Sequence, residues 1–329
     1  MQPPADAAGR EETGAGAAAS GLVAVTGATG FVGQALCNAL VAHHRTRALV
    51  RNRDAGSRLP PEVEAVQGSL DDEASLAPLV EDVGTVIHLA GLVSARRDDD
   101  YRRVNGAGTQ RLLAAVGKAA RPARVLLVSS LAARTPAASP YAASKRAGED
   151  AAADSGLEVC VVRPPAVYGP HDRGALPIFR QLSRGLLVAP GGAEARFSLL
   201  YVDDLARLLC RVLARPVWRG EVIEPDDARP GGYGWADLAA LAAPLVGRPV
   251  RCVRAPRPLV WCAALAAESI AAVRGRAPML SRGKLGELWY PDWVCRERPV
   301  DAMAGWTPRV GFVEGASLTL DWYRRHGWL

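Results

Sequence analysis

The chain has 329 residues, 49% of them hydrophobic, with a formal net charge of +6. That length suits one large α/β domain with a smaller partner, and it allows a sizeable core. All of its basic residues except Lys118, Lys145 and Lys284 are arginines, scattered without an aromatic-interleaved stripe, so nucleic acid is not an expected partner.

Residues 1–20 are rich in Ala and Gly and carry Asp6, Glu11 and Glu12. They lack the basic start and apolar centre of a secretory signal and read as a disordered tail. The first ordered segment is strand-like, Leu22–Thr26, followed by a glycine turn and a helical pattern over Phe31–Val41. Strand-like runs recur at Arg47–Val50, Val63–Val66, Thr85–Leu89, Arg124–Ser129 and Glu158–Val162, mostly with helical patterns between them. This alternation predicts an α/β fold, a Rossmann-type doubly wound parallel sheet with helices on both faces. Residues 21–163 are read as the dinucleotide-binding domain. Beyond Arg163, prolines and glycines break the alternation. A helix at Val202–Leu213 and a strand at Glu221–Glu224 predict a return to the sheet over about 201–224. Residues 164–200 and 225–329 are read as a smaller, mainly helical substrate-binding region.

The cysteines Cys37, Cys160, Cys210, Cys252, Cys262 and Cys295 form no C-x-x-C pair and mostly sit in apolar runs. They read as buried free thiols of a reducing compartment, so a cytoplasmic location and no metal site are expected. His88 and His171 stand alone and read as structural. The stretch Leu259–Val273 is too short to span a bilayer. An apolar helix of this kind is expected to bury most of its surface in a core, in a binding pocket or against a membrane surface.

Chemistry is concentrated in two places. Thr26-Gly27-Ala28-Thr29-Gly30-Phe31-Val32-Gly33 follows a strand and opens a helix. Gly27 permits the tight turn, Gly30 lets a pyrophosphate approach the backbone, and Gly33 lets helix and strand pack closely. Free N–H groups at the helix start then face the phosphates. At the end of the next strand Arg51 stands where an NAD site usually carries Asp or Glu, and Arg suits a 2′-phosphate. NADP is therefore the expected cofactor, with NAD as the alternative. Ser69 and Leu70, after Gly68, are placed to meet the adenine. The second place is Tyr141-Ala142-Ala143-Ser144-Lys145, which puts Tyr and Lys on one helical face. A neighbouring ammonium is expected to lower the phenol pKa and equip Tyr141 for proton transfer. Ser129 and Ser130 end the preceding strand at the edge where a ligand should lie, and a hydroxyl there can hold the substrate oxygen.

Taken together, TGATGFVG at 26–33, HLAG at 88–91, Asn105 with Gly108-Thr109, VSS at 128–130, YAASK at 141–145, RPPAVYGP at 163–170 and YVDDLA at 201–206 resemble an extended short-chain dehydrogenase/reductase. The likeness is to the NAD(P)-dependent epimerase/dehydratase and 3β-hydroxysteroid-dehydrogenase-like group. The resemblance implies that Ser130, Tyr141 and Lys145 are catalytic, Lys145 also binding the nicotinamide ribose. It implies that Asn105 supports the site. It also assigns Thr29, Phe31, Val32, Leu89, Ala90, Gly91, Asn105, Pro164 and Val167 to the dinucleotide. Two departures narrow the chemistry. Leu131-Ala132 follow Ser130 where sugar-nucleotide dehydratases of the group carry Asp-Glu, and Ala166 stands where nucleotide-sugar members often carry Asn. The expected function is oxidoreduction between a ketone or aldehyde and an alcohol on a largely apolar small molecule, by a monomer or homodimer. A nucleotide-sugar 4-epimerase and an NADP-binding redox-sensing module are the alternatives.

Overall fold

The computed structural model describes residues 21–190, 192, 194–297 and 305–329. The segment read as a disordered tail, 1–20, lies outside them. Six strands come first: β1 (Val23–Thr26), β2 (Thr46–Val50), β3 (Glu64–Gln67), β4 (Thr85–His88), β5 (Arg124–Val128) and β6 (Val159–Val162). β7 (Ala166–Tyr168), β8 (Leu186–Ala189), β9 (Arg196–Phe197) and β10 (Leu199–Tyr201) lie outside the main sheet. β11 (Val222–Ile223) returns to the sheet edge beside β6. The main sheet has seven strands in the order β11-β6-β5-β4-β1-β2-β3, all parallel. Its central strands are buried on both faces, which is why β1, β4 and β6 read as nearly continuous apolar runs.

The helix Phe31–Leu40 covers one face with Leu36, Cys37 and Leu40, packed against the helix Val202–Leu213. The helices Gly108–Lys118 and Pro140–Ala153 cover the other face through Leu112, Leu113, Val116 and Ala152. From β1 the chain winds outward to β2 and β3, then crosses back to β4, β5 and β6. The winding reverses between β1 and β4, where such sheets open a crevice for ligands at the strands' carboxyl ends.

The chain after β6 builds a third core around Tyr168, Phe179, Leu187, Tyr201, Leu238, Phe312, Leu320 and Tyr323. Buried charges tie it to the sheet. Arg163 forks onto Glu149 at 2.9 and 2.6 Å. Arg134 donates to the carbonyls of Asp292 and Val294 at 2.7 and 2.8 Å. Asp204, from the YVDDLA segment, accepts the backbone N–H groups of Arg309 and Val310, each at 2.9 Å.

Beyond 225 the described residues are mainly helical, as the sequence predicts, with two short strands besides. Helices occupy Trp235–Val246, Arg257–Val273, Leu285–Trp289 and Phe312–Arg325. Between them β12 (Arg251–Arg254) pairs with β8, and β13 (Asp292–Trp293) pairs with β9. Strands of two to four residues are too short to show a period of two. In the helix Arg257–Val273 only Val260, Ala264 and Ala271 are buried, and most of its apolar surface faces outward rather than into a core. No helix among the described residues is long and apolar enough to cross a membrane.

Candidate active site

The glycine turn sits at the carboxyl end of β1, over the crevice. Gly27 has φ +74°, and a Cβ there would come within 2.6 Å of the Ala90 nitrogen, so strand end and turn meet backbone to backbone. A Cβ on Gly33 would lie 2.2 Å from the Gly27 carbonyl oxygen. Gly30 differs, because its Cβ would meet only that same oxygen, at 3.2 Å. The turn thus stays open over Gly30 while closed behind Gly27 and Gly33. Gly30 caps the helix with no side-chain partner, and the first turn, Phe31 and Val32 included, carries no acidic residue. This is a cradle that fits a pyrophosphate. The Thr29 carbonyl is held at 2.9 Å by Gln34.

Beside the turn runs a buried chain of hydrogen bonds. The Ala90 N–H donates to Thr26 Oγ1 at 3.2 Å, and Thr26 meets His88 Nδ1 at 2.6 Å. His88 Nε2 meets Thr109 Oγ1 at 2.9 Å, and the Thr109 hydroxyl donates to the Asn105 carbonyl at 2.7 Å. Because the Thr109 proton goes to that carbonyl, Nε2 carries the imidazole proton and Nδ1 accepts from Thr26. Burial, with Lys145 nearby, pushes the His88 pKa down to about 3, so the ring stays neutral. His88 is a structural connector, as read from the sequence.

Asn105 lies in a widened helical turn, Arg102–Ala107. Its side chain clamps Leu92, accepting the N–H at 2.7 Å and donating to the carbonyl at 3.0 Å, and it also donates to Ser144 Oγ at 2.9 Å. It thereby joins the loop after Leu89, Ala90 and Gly91 to the helix that carries Tyr141. A Cβ on Gly91 would come within 3.0 Å of Asn105 Oδ1 and 3.7 Å of Lys145 Nζ.

The Tyr141 helix is started by Ser139, whose Oγ accepts the Ala142 N–H at 2.9 Å, with Pro140 in its first turn. Tyr141 and Ser130 line the same pocket, and the Ser130 side chain acts on the Tyr141 phenol. Ser130 also caps the short turn Leu131–Arg134 through the Ala132 N–H, at 3.2 Å. Of the serine pair, Ser130 reaches the pocket, while the buried Ser129 hydroxyl has no hydrogen-bond partner among the described residues.

The expected lowering of the phenol pKa by Lys145 is not what the geometry gives. Lys145 Nζ points at the Val128 carbonyl, 2.9 Å away. Burial dominates both groups. It raises Tyr141 to about 12, with the Ser130 side chain opposing, and lowers Lys145 to about 8, with Glu149 opposing. Tyr141 therefore holds its proton throughout the neutral range and is set up as a donor.

A pocket of about 370 Å³ opens in front of Ser130 and Tyr141. Its walls are largely apolar and include Leu131, Ala166, Ile178, Leu199, Leu238 and Trp293. Two charged groups in it were not anticipated. Arg196 lines it and is neutralised by Asp237 at 2.6 Å. Glu287 also lines it, bound to the Ser139 hydroxyl, and burial raises its pKa against the opposing effects of Ser139 and Lys284. The Lys284 ammonium lies 5.1 Å from the Tyr141 ring centre. Only its rarity, as one of three lysines, marks Lys284 in the sequence. A larger, more open depression over Tyr233, Leu245 and Phe312 contains neither Tyr141 nor Ser130.

The remaining expected residues are distributed as follows. Arg51 is exposed directly after β2, near Gly68, whose N–H bonds the Val50 carbonyl at 2.9 Å. Ser69 follows, its N–H donating to Ser75 Oγ at 3.0 Å. Leu70 is buried, and its carbonyl accepts from Arg111 at 2.6 Å. The Pro164 carbonyl accepts the Leu131 N–H at 2.9 Å, and Val167 packs against the main core.

Residues 23–223 match the model of the NAD dependent epimerase/dehydratase family. The chain belongs to that family. It is an oxidoreductase of the type that acts between CH–OH and C=O groups. It is 37% identical to a ceramide reductase of Caulobacter vibrioides over 94% of this chain and 97% of that one. It is 27% identical to a 2-alkyl-3-oxoalkanoate reductase of Stenotrophomonas maltophilia, over 89% and 96%. A UDP-glucose 4-epimerase from Thermotoga maritima, solved with UDP-glucose, superposes with a TM-score of 0.69 at 22% identity, covering 93% of this chain and 99% of that one, and so shares the fold.

Proposed function

We propose that the protein is an NADP(H)-dependent reductase of a ketone carried on a largely apolar, lipid-like molecule. The observation that carries this reading is the placement of Ser130 and Tyr141 together at the head of an apolar pocket, beside the glycine cradle. A reduced nicotinamide held beside the glycine cradle would supply the hydride for the carbonyl carbon. Ser130 holds the carbonyl oxygen by a hydrogen bond, and Tyr141 gives that oxygen its phenolic proton, so that ketone becomes alcohol as the cofactor is oxidised. Lys145, one helical turn on from Tyr141, would hold the cofactor ribose and carry the proton that restores the phenol. Leu131, Ala132, Gly91 and Asn105 shape and hold the site. Arg51 selects the 2′-phosphate of NADP.

The relative named a ceramide reductase supports a lipid carbonyl as the substrate class. The walls support it too, since a site for a sugar needs several placed polar groups, and here Arg196 is already held by Asp237. The test is NADPH oxidation with a panel of long-chain ketones, ketones of ceramide type included, alongside UDP-hexoses. Turnover confined to the apolar ketones is expected. Thermal stabilisation by UDP-hexoses alone, with NADP⁺ present, would move the protein to the epimerase class.

A further inference from the structure

The helix Arg257–Val273 is buried along one narrow stripe, Val260, Ala264 and Ala271, of which Val260 and Ala264 pack with Leu285, Leu288 and Trp289. At 100° per residue, Leu259, Cys262, Ala263, Ala266, Ile270 and Val273 share the opposite arc, flanked by Trp261 and Leu265. Leu259 is 64% exposed, Ile270 53% and Val273 90%. The only polar residue on that outer arc is Ser269, and its hydroxyl is turned back onto the Leu265 carbonyl at 3.0 Å. The helix's single acid, Glu268, lies on the inner side in an ion pair with Arg282 at 2.8 Å. A surface helix normally turns its charged face outward; this one turns its apolar face outward.

Its flanks are cationic. Between Asp237 and Glu268 the sequence has no acidic residue but has Arg248, Arg251, Arg254 and Arg257, and Arg274 and Arg276 follow the helix. All six arginines are exposed, and none has an acidic partner among the described residues. The ribbon leading into the helix leaves Val188 and Val253 exposed as well.

We propose that this helix docks the protein on an anionic lipid surface, lying in the plane of the headgroups. The apolar arc enters the boundary between headgroups and chains, and the arginines at both ends meet lipid phosphates. Seventeen residues of helix span about 25 Å, and the inner stripe is held by protein, so the helix rests on the bilayer without crossing it. A second copy of the chain is the disfavoured occupant, because six unpaired arginines around one face repel their own image. The stripe it packs on, through Leu288, forms part of the pocket wall, so docking brings the pocket to the lipid. The inference rests on this surface alone and not on the proposed reaction.

The test is sedimentation of the full chain with phosphatidylcholine vesicles containing phosphatidylglycerol, and with phosphatidylcholine alone. Binding to the anionic vesicles is expected, weakening as salt rises. Leu259→Glu/Ile270→Glu/Val273→Glu should reduce the partition coefficient at least about tenfold, with the thermal midpoint unchanged because all three sites are exposed. Arg274→Glu/Arg276→Glu, which leaves the apolar arc intact, should weaken anionic binding and leave neutral binding as it was. Absence of vesicle binding, or equal binding by the triple variant, overturns the proposal. So does a dimer in light scattering that the triple variant splits, which would make the face a contact between copies.

Discussion

Alanine at Gly30 and alanine at Gly33 should fail in different ways, and the difference tests the reading of the turn. At Gly33 the new Cβ would lie 2.2 Å from the Gly27 oxygen and 2.6 Å from the Ala28 oxygen. Carbon and oxygen need a little over 3 Å, so helix and turn must part by about 1 Å. Both obstacles are backbone, and Leu36, Cys37 and Leu40 behind the helix are fully buried, so neither side yields easily. Overpacking of this kind costs about 1–3 kcal/mol. The cofactor-free Gly33→Ala protein should therefore melt several degrees lower. At Gly30 the new Cβ meets one oxygen at 3.2 Å, and φ is −77°, which any residue adopts. Gly30→Ala should leave the cofactor-free melting point within a degree, yet weaken dinucleotide binding at least about tenfold by blocking the backbone's approach to phosphate. Differential scanning fluorimetry and cofactor titration on both variants measure this. A Gly30→Ala protein that binds NADP⁺ like the wild type would refute the phosphate cradle, and an unchanged melting point for Gly33→Ala would refute the packing argument.

Arg51→Asp should erase a preference for NADPH over NADH of roughly ten- to a hundredfold, as expected for one charge-assisted contact to phosphate; equal affinities in the wild type would remove the basis for the assignment. Asn105→Ala strands the N–H and carbonyl of Leu92 and should cost about 2–4 kcal/mol by denaturant unfolding, whereas a loss under about 0.5 kcal/mol would show that the clamp is dispensable. For pH, Tyr141 stays protonated up to about 12, while the Lys145 ammonium is lost as pH rises through about 8. Reduction should therefore fall above about pH 8, on a limb that disappears in Lys145→Met; a limb that persists in that variant belongs to another group.

The central strands were legible because β1, β4, β5 and β6 are short, mostly buried apolar runs, so local composition suffices. The glycine turn and the Tyr141–Lys145 pair were legible for the same reason, since each is a local spacing. Lys284 and Glu287 were not, because they reach Tyr141 from across the fold, and only the rarity of lysine sets Lys284 apart. Arg196 gave no signal among so many arginines. The helix at 257–273 shows a third kind of limit. Its sequence shows how apolar it is but not how narrow a stripe the rest of the chain covers. The phenol pKa failed in a fourth way. The neighbouring lysine was visible in the sequence, but the burial that outweighs it depends on residues from several distant segments.

The central claim is that Tyr141 delivers the proton while the glycine turn and Lys145 hold the cofactor. Single-turnover reduction of a long-chain ketone by Tyr141→Phe, read beside its NADP⁺ affinity, tests this most directly. The ring still fills its place, so cofactor affinity should stay within about twofold, while the chemical step slows by about 10²–10⁴-fold. Turnover within a fewfold of the wild type, or a matching loss of cofactor affinity, would contradict the account.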